Sequence, residues 1–273
     1  GRDVVLSYVA SGNYVGEMAL VADAPRSATV RAAVATETVK LEGEAFKRLL
    51  ASDADLSRQV EQKFRERLEA NERMESAPEA SSIIQFLIEQ GAGEATDILL
   101  IDESLCVRCD NCEKACAEIE SHHGMSRLDR EAGPTFANLH VPTSCRHCEH
   151  PHCMADCPPD AIHRASSGEV FINDSCIGCG NCSRNCPYGV IQMAAPPPPK
   201  PGLLSWLLFG LGAGPGEDKS LRTTHREGVS KHAVKCDMCM DVEGGAACVR
   251  ACPTGAAIRV DPKRFLSLAT LGQ

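Results

Sequence analysis

The sequence predicts an α+β protein in two parts: a cysteine-free front, and a rear of short strands and helices arranged around repeated cysteine groups. Three observations predict it. All 16 cysteines lie after residue 105, in four groups of four. Apolar segments of strand or turn character recur after these groups. Residues 1–75 contain no cysteine and end in a helical pattern. Aromatic residues are only 4% of the chain, so something other than ring packing must hold part of the fold. Acids outnumber Lys and Arg by 37 to 28, a net charge of −9. That balance excludes a nucleic-acid surface, which needs a basic stripe. No apolar run reaches the roughly 20 residues of a membrane-spanning helix, and no basic-then-apolar leader opens the chain. The opening at Gly1 reads as mid-domain, so a fragment of a longer chain is expected, and a cytoplasmic location with it.

In chain order, Tyr14–Leu20 leads into Asp23–Ala32, Val39-Lys40-Leu41 reads as a strand, and Phe46–Leu50 begins a helix. From Leu56 to Met74 the period is helical, with Leu56, Val60, Phe64 and Leu68 at four-residue spacing. Ser76–Ser82, small, polar and broken by Pro78, reads as a hinge. The expected domains are residues 1–75, a linker or helix over 76–96, and a cysteine-rich domain over 97–273 with an insertion at about 195–220. In the rear, Ile98-Leu99-Leu100-Ile101 reads as a strand feeding the first cysteine. Ser166-Ser167-Gly168 reads as a turn, and Val170-Phe171-Ile172 as the returning strand. Pro196–Pro201 is a stiff spacer and Gly210–Gly216 a flexible one. Between them Leu203–Phe209 carries the single Trp. It reads as a loop tucked on its own domain, a partner-docking segment or a peripheral membrane contact.

The cysteine groups are Cys106, Cys109, Cys112, Cys116; Cys145, Cys148, Cys153, Cys157; Cys176, Cys179, Cys182, Cys186; and Cys236, Cys239, Cys248, Cys252. Groups one and three are spaced C-x2-C-x2-C-x3-C, while groups two and four lengthen the middle gap. Disulfides suit small secreted domains, and no export signal is seen. Zinc takes four thiolates, commonly as two separated C-x2-C pairs, which groups two and four alone resemble. The run of three cysteines with a fourth x3 further on fits iron–sulfur chemistry best: three thiolates hold one cluster and the fourth reaches a second. Pro158, Pro187 and Pro253 follow the fourth cysteine of their groups, and Ala117 replaces the proline in group one. Gly178 and Gly180 between ligands let backbone N–H groups approach sulfur. Short strands and helices wrapped in this way give a ferredoxin-like fold. His147, His150 and His152 are read as surface or supporting residues, since each group already has four thiols. His122-His123 has no evident partner.

Residues 97–265 resemble the four-cluster ferredoxin-type electron-transfer subunits of molybdopterin oxidoreductases and some hydrogenases. The resemblance rests on Cys145–Cys153, Cys176–Cys182, Lys235-Cys236-Asp237-Met238-Cys239 and Cys248–Pro253. It implies four [4Fe-4S] clusters in two tandem ferredoxin-like two-cluster modules, groups two and three in one and groups one and four in the other. It also implies the ligand sets. Cys145, Cys148 and Cys153 share a cluster with Cys186, and Cys176, Cys179 and Cys182 share one with Cys157. Cys106, Cys109 and Cys112 share one with Cys252, and Cys236, Cys239 and Cys248 share one with Cys116.

The front is similar to the second half of a cyclic-nucleotide-binding domain, a partial β-roll and its C-terminal helix, through Gly16-Glu17-Met18-Ala19-Leu20 and Pro25-Arg26-Ser27-Ala28-Thr29-Val30. Val15 stands where an aromatic residue is usual. That resemblance implies cAMP or cGMP at Gly16, Glu17, Arg26, Ser27 and Ala28. Arg26 and the amides of Ser27 and Ala28 would meet the phosphate, and Glu17 the ribose. The alternative is that Glu17 and Arg26 form a structural ion pair.

The expected function is relay of single electrons between a catalytic oxidoreductase partner, or an upstream flavin or nicotinamide module, and other carriers, with cyclic-nucleotide modulation through the hinge. No catalytic set is visible. A redox or nucleotide sensor is the alternative, weakened by the acidic charge and by the lack of a helix pair for DNA over residues 76–105.

Overall fold

A computed structural model describes residues 4–10, 12–122, 124–194, 231–262 and 264. The proline, apolar and glycine segments between 196 and 216 lie outside them. The chain divides into two compact units, Gly1–Thr96 with Val260–Gln273, and Asp97–Arg259.

The front unit is helical among its described residues. α1 (Glu17–Val21), α2 (Gly43–Ser52), α3 (Ala54–Ser76) and α4 (Pro78–Glu89) follow one another. α3 starts where Asp53 caps it, its carboxylate accepting from the amides of Asp55 at 2.9 Å and Leu56 at 3.0 Å. It buries Val60, Ala70 and Met74 along one stripe. α4 buries Ser81, Ile84, Phe86 and Leu87.

One expectation for this unit is corrected. Val39-Lys40-Leu41 is not a strand: Val39 is 98% exposed, and residues 24–42 hold neither helix nor strand. A strand needs a partner edge to satisfy its amides and carbonyls, and the described residues of this unit form no sheet, so the partial β-roll is absent from them. Within Ser76–Ser82, the segment read as a hinge, the helical path is interrupted at one residue. The chain leaves helix only at Ala77 and re-enters it with Pro78 in the first turn, where proline's missing N–H costs nothing.

The rear unit alternates short strands with short helices. Its largest sheet has the order β2-β3-β1-β8, with β1 (Ile98–Asp102), β2 (Thr135–Phe136), β3 (Leu139–His140) and β8 (Ala257–Val260). Ile98 to Ile101 are fully buried, as a continuous apolar run between two neighbouring strands should be. β4 (Ile162–Arg164) pairs antiparallel with β5 (Val170–Ile172), placing Ile162 opposite Ile172. The turn between them closes with the Gly168 amide on the Ala165 carbonyl at 3.0 Å. β6 (Gln192–Ala194) pairs with β7 (His232–Val234). α5 (Asn111–Glu118), α6 (Asn181–Asn185) and α7 (Ala247–Arg250) each carry cysteines. No helix among the described residues is long and apolar enough to cross a membrane.

Candidate metal centres

The four groups share one local device. The residue two positions after the first cysteine is left-handed in each: Arg108 (φ 55°), His147 (φ 48°), Gly178 (φ 69°) and Met238 (φ 63°). Only one of these is glycine, so three side chains bear the strain that this region imposes. The turn aims an amide back at sulfur. His147 N–H lies 3.4 Å from Cys145 Sγ, and Met238 N–H lies 3.4 Å from Cys236 Sγ. The later cysteines receive amides too, from Arg127 to Cys116 at 3.2 Å, Ala161 to Cys157 at 3.3 Å and Ala257 to Cys252 at 3.4 Å. At Gly178 no other residue fits, because a Cβ would lie 1.7 Å from the Lys231 carbonyl oxygen.

The cysteines converge across groups. One cavity of about 300 Å³, counted to its open mouth, is lined by Cys176, Cys179, Cys182 and Cys157 among apolar residues such as Ile162 and Ile172. A second, of about 330 Å³, is lined by Cys145, Cys148, Cys153 and Cys186 with Val170, Val190 and Lys235. Each holds three thiols of one group and the fourth of the other. Elsewhere α5 packs on α7, bringing Cys112, Cys116 and Cys248 into one apolar cluster with Leu99 and Leu128. The Cys116 thiol also feels Cys236, Cys248 and Cys239. Cys106 and Cys252 meet beside Ile101, Ala256 and Ala257.

These residues suit a thiolate-bound cluster. Burial pushes the Cys112, Cys153 and Cys236 thiols up to about 11 and Cys116 up to about 12. A buried protonated thiol is inert, while a metal cation favours the thiolate outright. Amides directed at sulfur have their natural acceptor in that anion.

Three stretches match known sequence families: residues 136–196 and 175–256 each match a 4Fe-4S dicluster domain, and residues 1–53 match a cyclic nucleotide-binding domain. The chain is 34% identical over 165 residues to formate hydrogenlyase subunit 2 of Escherichia coli K12, covering 60% of this chain and 81% of that protein. It is 32% identical over 180 residues to the electron transport protein HydN of the same strain, covering 63% and 91%. It is 31% identical over 185 residues to the arsenate respiratory reductase iron–sulfur subunit ArrB of Shewanella sp. ANA-3, covering 59% and 79%. The chain belongs to the 4Fe-4S dicluster family of iron–sulfur electron-transfer subunits.

Several residues of this iron–sulfur protein escape sequence reasoning. His122, 1% exposed, spans from the Cys116 carbonyl (Nδ1 at 2.6 Å) to the Asp237 carboxylate (Nε2 at 3.2 Å), tying group one to group four. Burial raises the Asp237 carboxyl, but the His122 hydrogen bond and the Cys239 amide outweigh it and hold the group well below the usual carboxylate range. His147 is fully buried and accepts from the Val170 amide at 2.9 Å, while burial, then Lys235 and Arg259, hold its imidazole well below its ordinary value. Lys235 Nζ lies 3.4 Å from Cys145 Sγ and Arg259 Nη2 lies 3.0 Å from Cys236 Sγ. The one sequence signal was adjacency: Lys235 and Asp237 flank Cys236, and His147 sits between Cys145 and Cys148.

The nucleotide cassette of the front unit is arranged differently from expectation. Gly16 (φ 94°) caps α1, and Glu17 is buried. Its carboxylate is paired with Arg67 of α3, which also donates to the Tyr14 carbonyl at 2.7 Å and lies over the Tyr14 ring. Arg67, not Arg26, is therefore the structural partner of Glu17. Arg26, Ser27 and Ala28 are exposed, and Ser27 and Ala28 lie in no helix, so no helix N-terminus backs them. α1 ends before them because the chain turns at Ala22 and Asp23, the latter at φ 49°.

Proposed function

We propose that this protein relays single electrons through four [4Fe-4S] clusters between a catalytic oxidoreductase subunit and another carrier. Complexes of the class named for its relatives, a formate hydrogenlyase, hydrogenase-4 and an arsenate respiratory reductase, are the class of partner. The carrying observation is the crossed lining of the two cavities, three cysteines of one group with the fourth of the other. On this reading the sixteen cysteines are the ligands, in the four sets that the family resemblance implies, and the modules are groups two/three and one/four. Such a cluster, when bound, supplies reversible one-electron chemistry.

The chain's own residues do the rest. Thiolates hold, amides and cations stabilise negative charge on sulfur, and aliphatic side chains exclude water. Cys109 and Cys179 are exposed, and their loops carry Val107 at 63% and Ile177 at 64% exposure. These two loops are the points where electrons enter and leave. Cyclic-nucleotide control is outside the proposal, because Arg67 occupies Glu17 and the phosphate segment has no backing helix.

The test is Cys157→Ser with EPR of the anaerobically reduced protein. Crossed ligation predicts that the cluster of Cys176, Cys179 and Cys182 is lost or converted, while that of Cys145, Cys148 and Cys153 is retained. Loss of the latter alone would overturn the assignment.

A further inference from the structure

Lys235 is the largest fully buried side chain among the described residues, at 2% exposure. A buried ammonium is rare unless paired. Among the described residues its Nζ donates to the Val170 carbonyl, to the Cys236 carbonyl at 2.8 Å and to Cys145 Sγ at 3.4 Å, and none of these is a carboxylate. Close by, Arg259 places Nη2 3.0 Å from Cys236 Sγ and pairs through Nη1 with Asp97. Its Nε is buried with no partner. Two buried cations thus share one bonded carboxylate, and the remaining positive charge faces sulfur. The two sulfurs belong to different groups: Cys145 lies 90 positions before Lys235, and Cys236 immediately follows it.

We propose that Lys235, with Arg259, is the charge that joins the two halves of the electron path, stabilising the reduced form of the cluster held through Cys145 and of the one held through Cys236. This rests on the ligand sets proposed above. Reduction adds one electron to a cluster with no bond made or broken, so the cluster's net charge falls by one. The electron comes from a reduced flavin or iron–sulfur carrier and leaves to an oxidised one. A cation fixed at the ligand sulfur, away from water, favours the more negative state and raises the potential. Lys235 meets Cys145 at its sulfur and Cys236 at its backbone carbonyl, so its charge lies beside one cysteine of each module. Arg259 donates to the Cys236 sulfur, and its Nη1 also meets Asp97 and, at 2.9 Å, Met238 Sδ. Both are positioning residues, acting by their charge: Lys235 at the Cys145 sulfur and the Cys236 carbonyl, Arg259 at the Cys236 sulfur.

Potentiometric EPR titration of the full-length, cluster-loaded protein, with dithionite as reductant, tests this. Lys235→Met should lower the midpoints of two clusters by at least 59 mV each, a tenfold change in a one-electron equilibrium constant. The clusters of Cys176 and Cys106 should move less, and Lys235→Arg should stay near wild type. Arg259→Gln should lower the Cys236 cluster alone. Full iron with unmoved midpoints in Lys235→Met, or equal displacement of all clusters, overturns the proposal by itself. Should Lys235→Met purify without iron, Lys235→Arg and Arg259→Gln decide: wild-type midpoints in Arg259→Gln, or a large fall in Lys235→Arg, would overturn it. A wild-type protein without iron and sulfide removes the ligand assignment instead, and this proposal with it.

Discussion

The two units of this chain solve the problem of a core by different means. The front packs helices through ordinary side chains, with Val60, Met74, Ile84, Phe86 and Leu87 buried. Among its described residues the rear has no aromatic residue among its buried apolar side chains. One of its clusters is made from Cys145, Cys182 and Cys236 with Ile162, Val170, Val190 and Ile191. Among the described residues its helices are short, between four and eight residues, and such lengths are marginal without tertiary support. The difference teaches where stability resides: in side-chain burial at the front, and in thiolate–metal bonds at the rear, where metal binding is folding free energy.

The largest effect should come from removing iron. Anaerobic chelation is expected to make the rear, Asp97–Arg259, sensitive to limited proteolysis while fragments ending near Thr96 survive. Equal persistence of both units would break the comparison. Next, Gly178→Ala puts a Cβ against the Lys231 carbonyl in a left-handed turn, and is expected to cost the ligand set of Cys176, Cys179 and Cys182, read as about a quarter of the iron. Met74→Ala, which empties a site 2% exposed, should destabilise the front by about 2–4 kcal/mol in denaturant unfolding and leave iron content unchanged. The smallest effect is expected from cyclic AMP or cyclic GMP. At millimolar concentration neither should raise the Tm, since a bound ligand at 100-fold its Kd would add about 2.7 kcal/mol. A clear rise would show that the Arg67–Glu17 pair yields to a nucleotide.

Much of this was legible in the sequence because it is local. The x2 and x3 spacings mark groups, Ile98–Ile101 forms β1, Val170–Ile172 forms β5, and the four-residue period ending at Met74 lies within α3. What was not legible depends on long-range partners. Val39–Leu41 has strand composition but no edge to pair with. Lys235 meets Cys145 across 90 positions, and His122 meets Asp237 across 115. Arg67 reaches Glu17 across 50, taking the place of Arg26 in the alternative reading of a Glu17–Arg26 ion pair. Ser76–Ser82 looked like a break because proline stops helices, yet at the first helical position it starts one.

The central claim, that the rear is folded around clusters shared between cysteine groups, is tested most directly by counting them. Iron and acid-labile sulfide on anaerobic protein, with EPR of the reduced state, should give four [4Fe-4S] clusters per chain, one for every four of the 16 cysteines, with spin coupling between cluster pairs. Protein that is folded over Asp97–Arg259 and carries zinc, or no metal at all, would contradict the account.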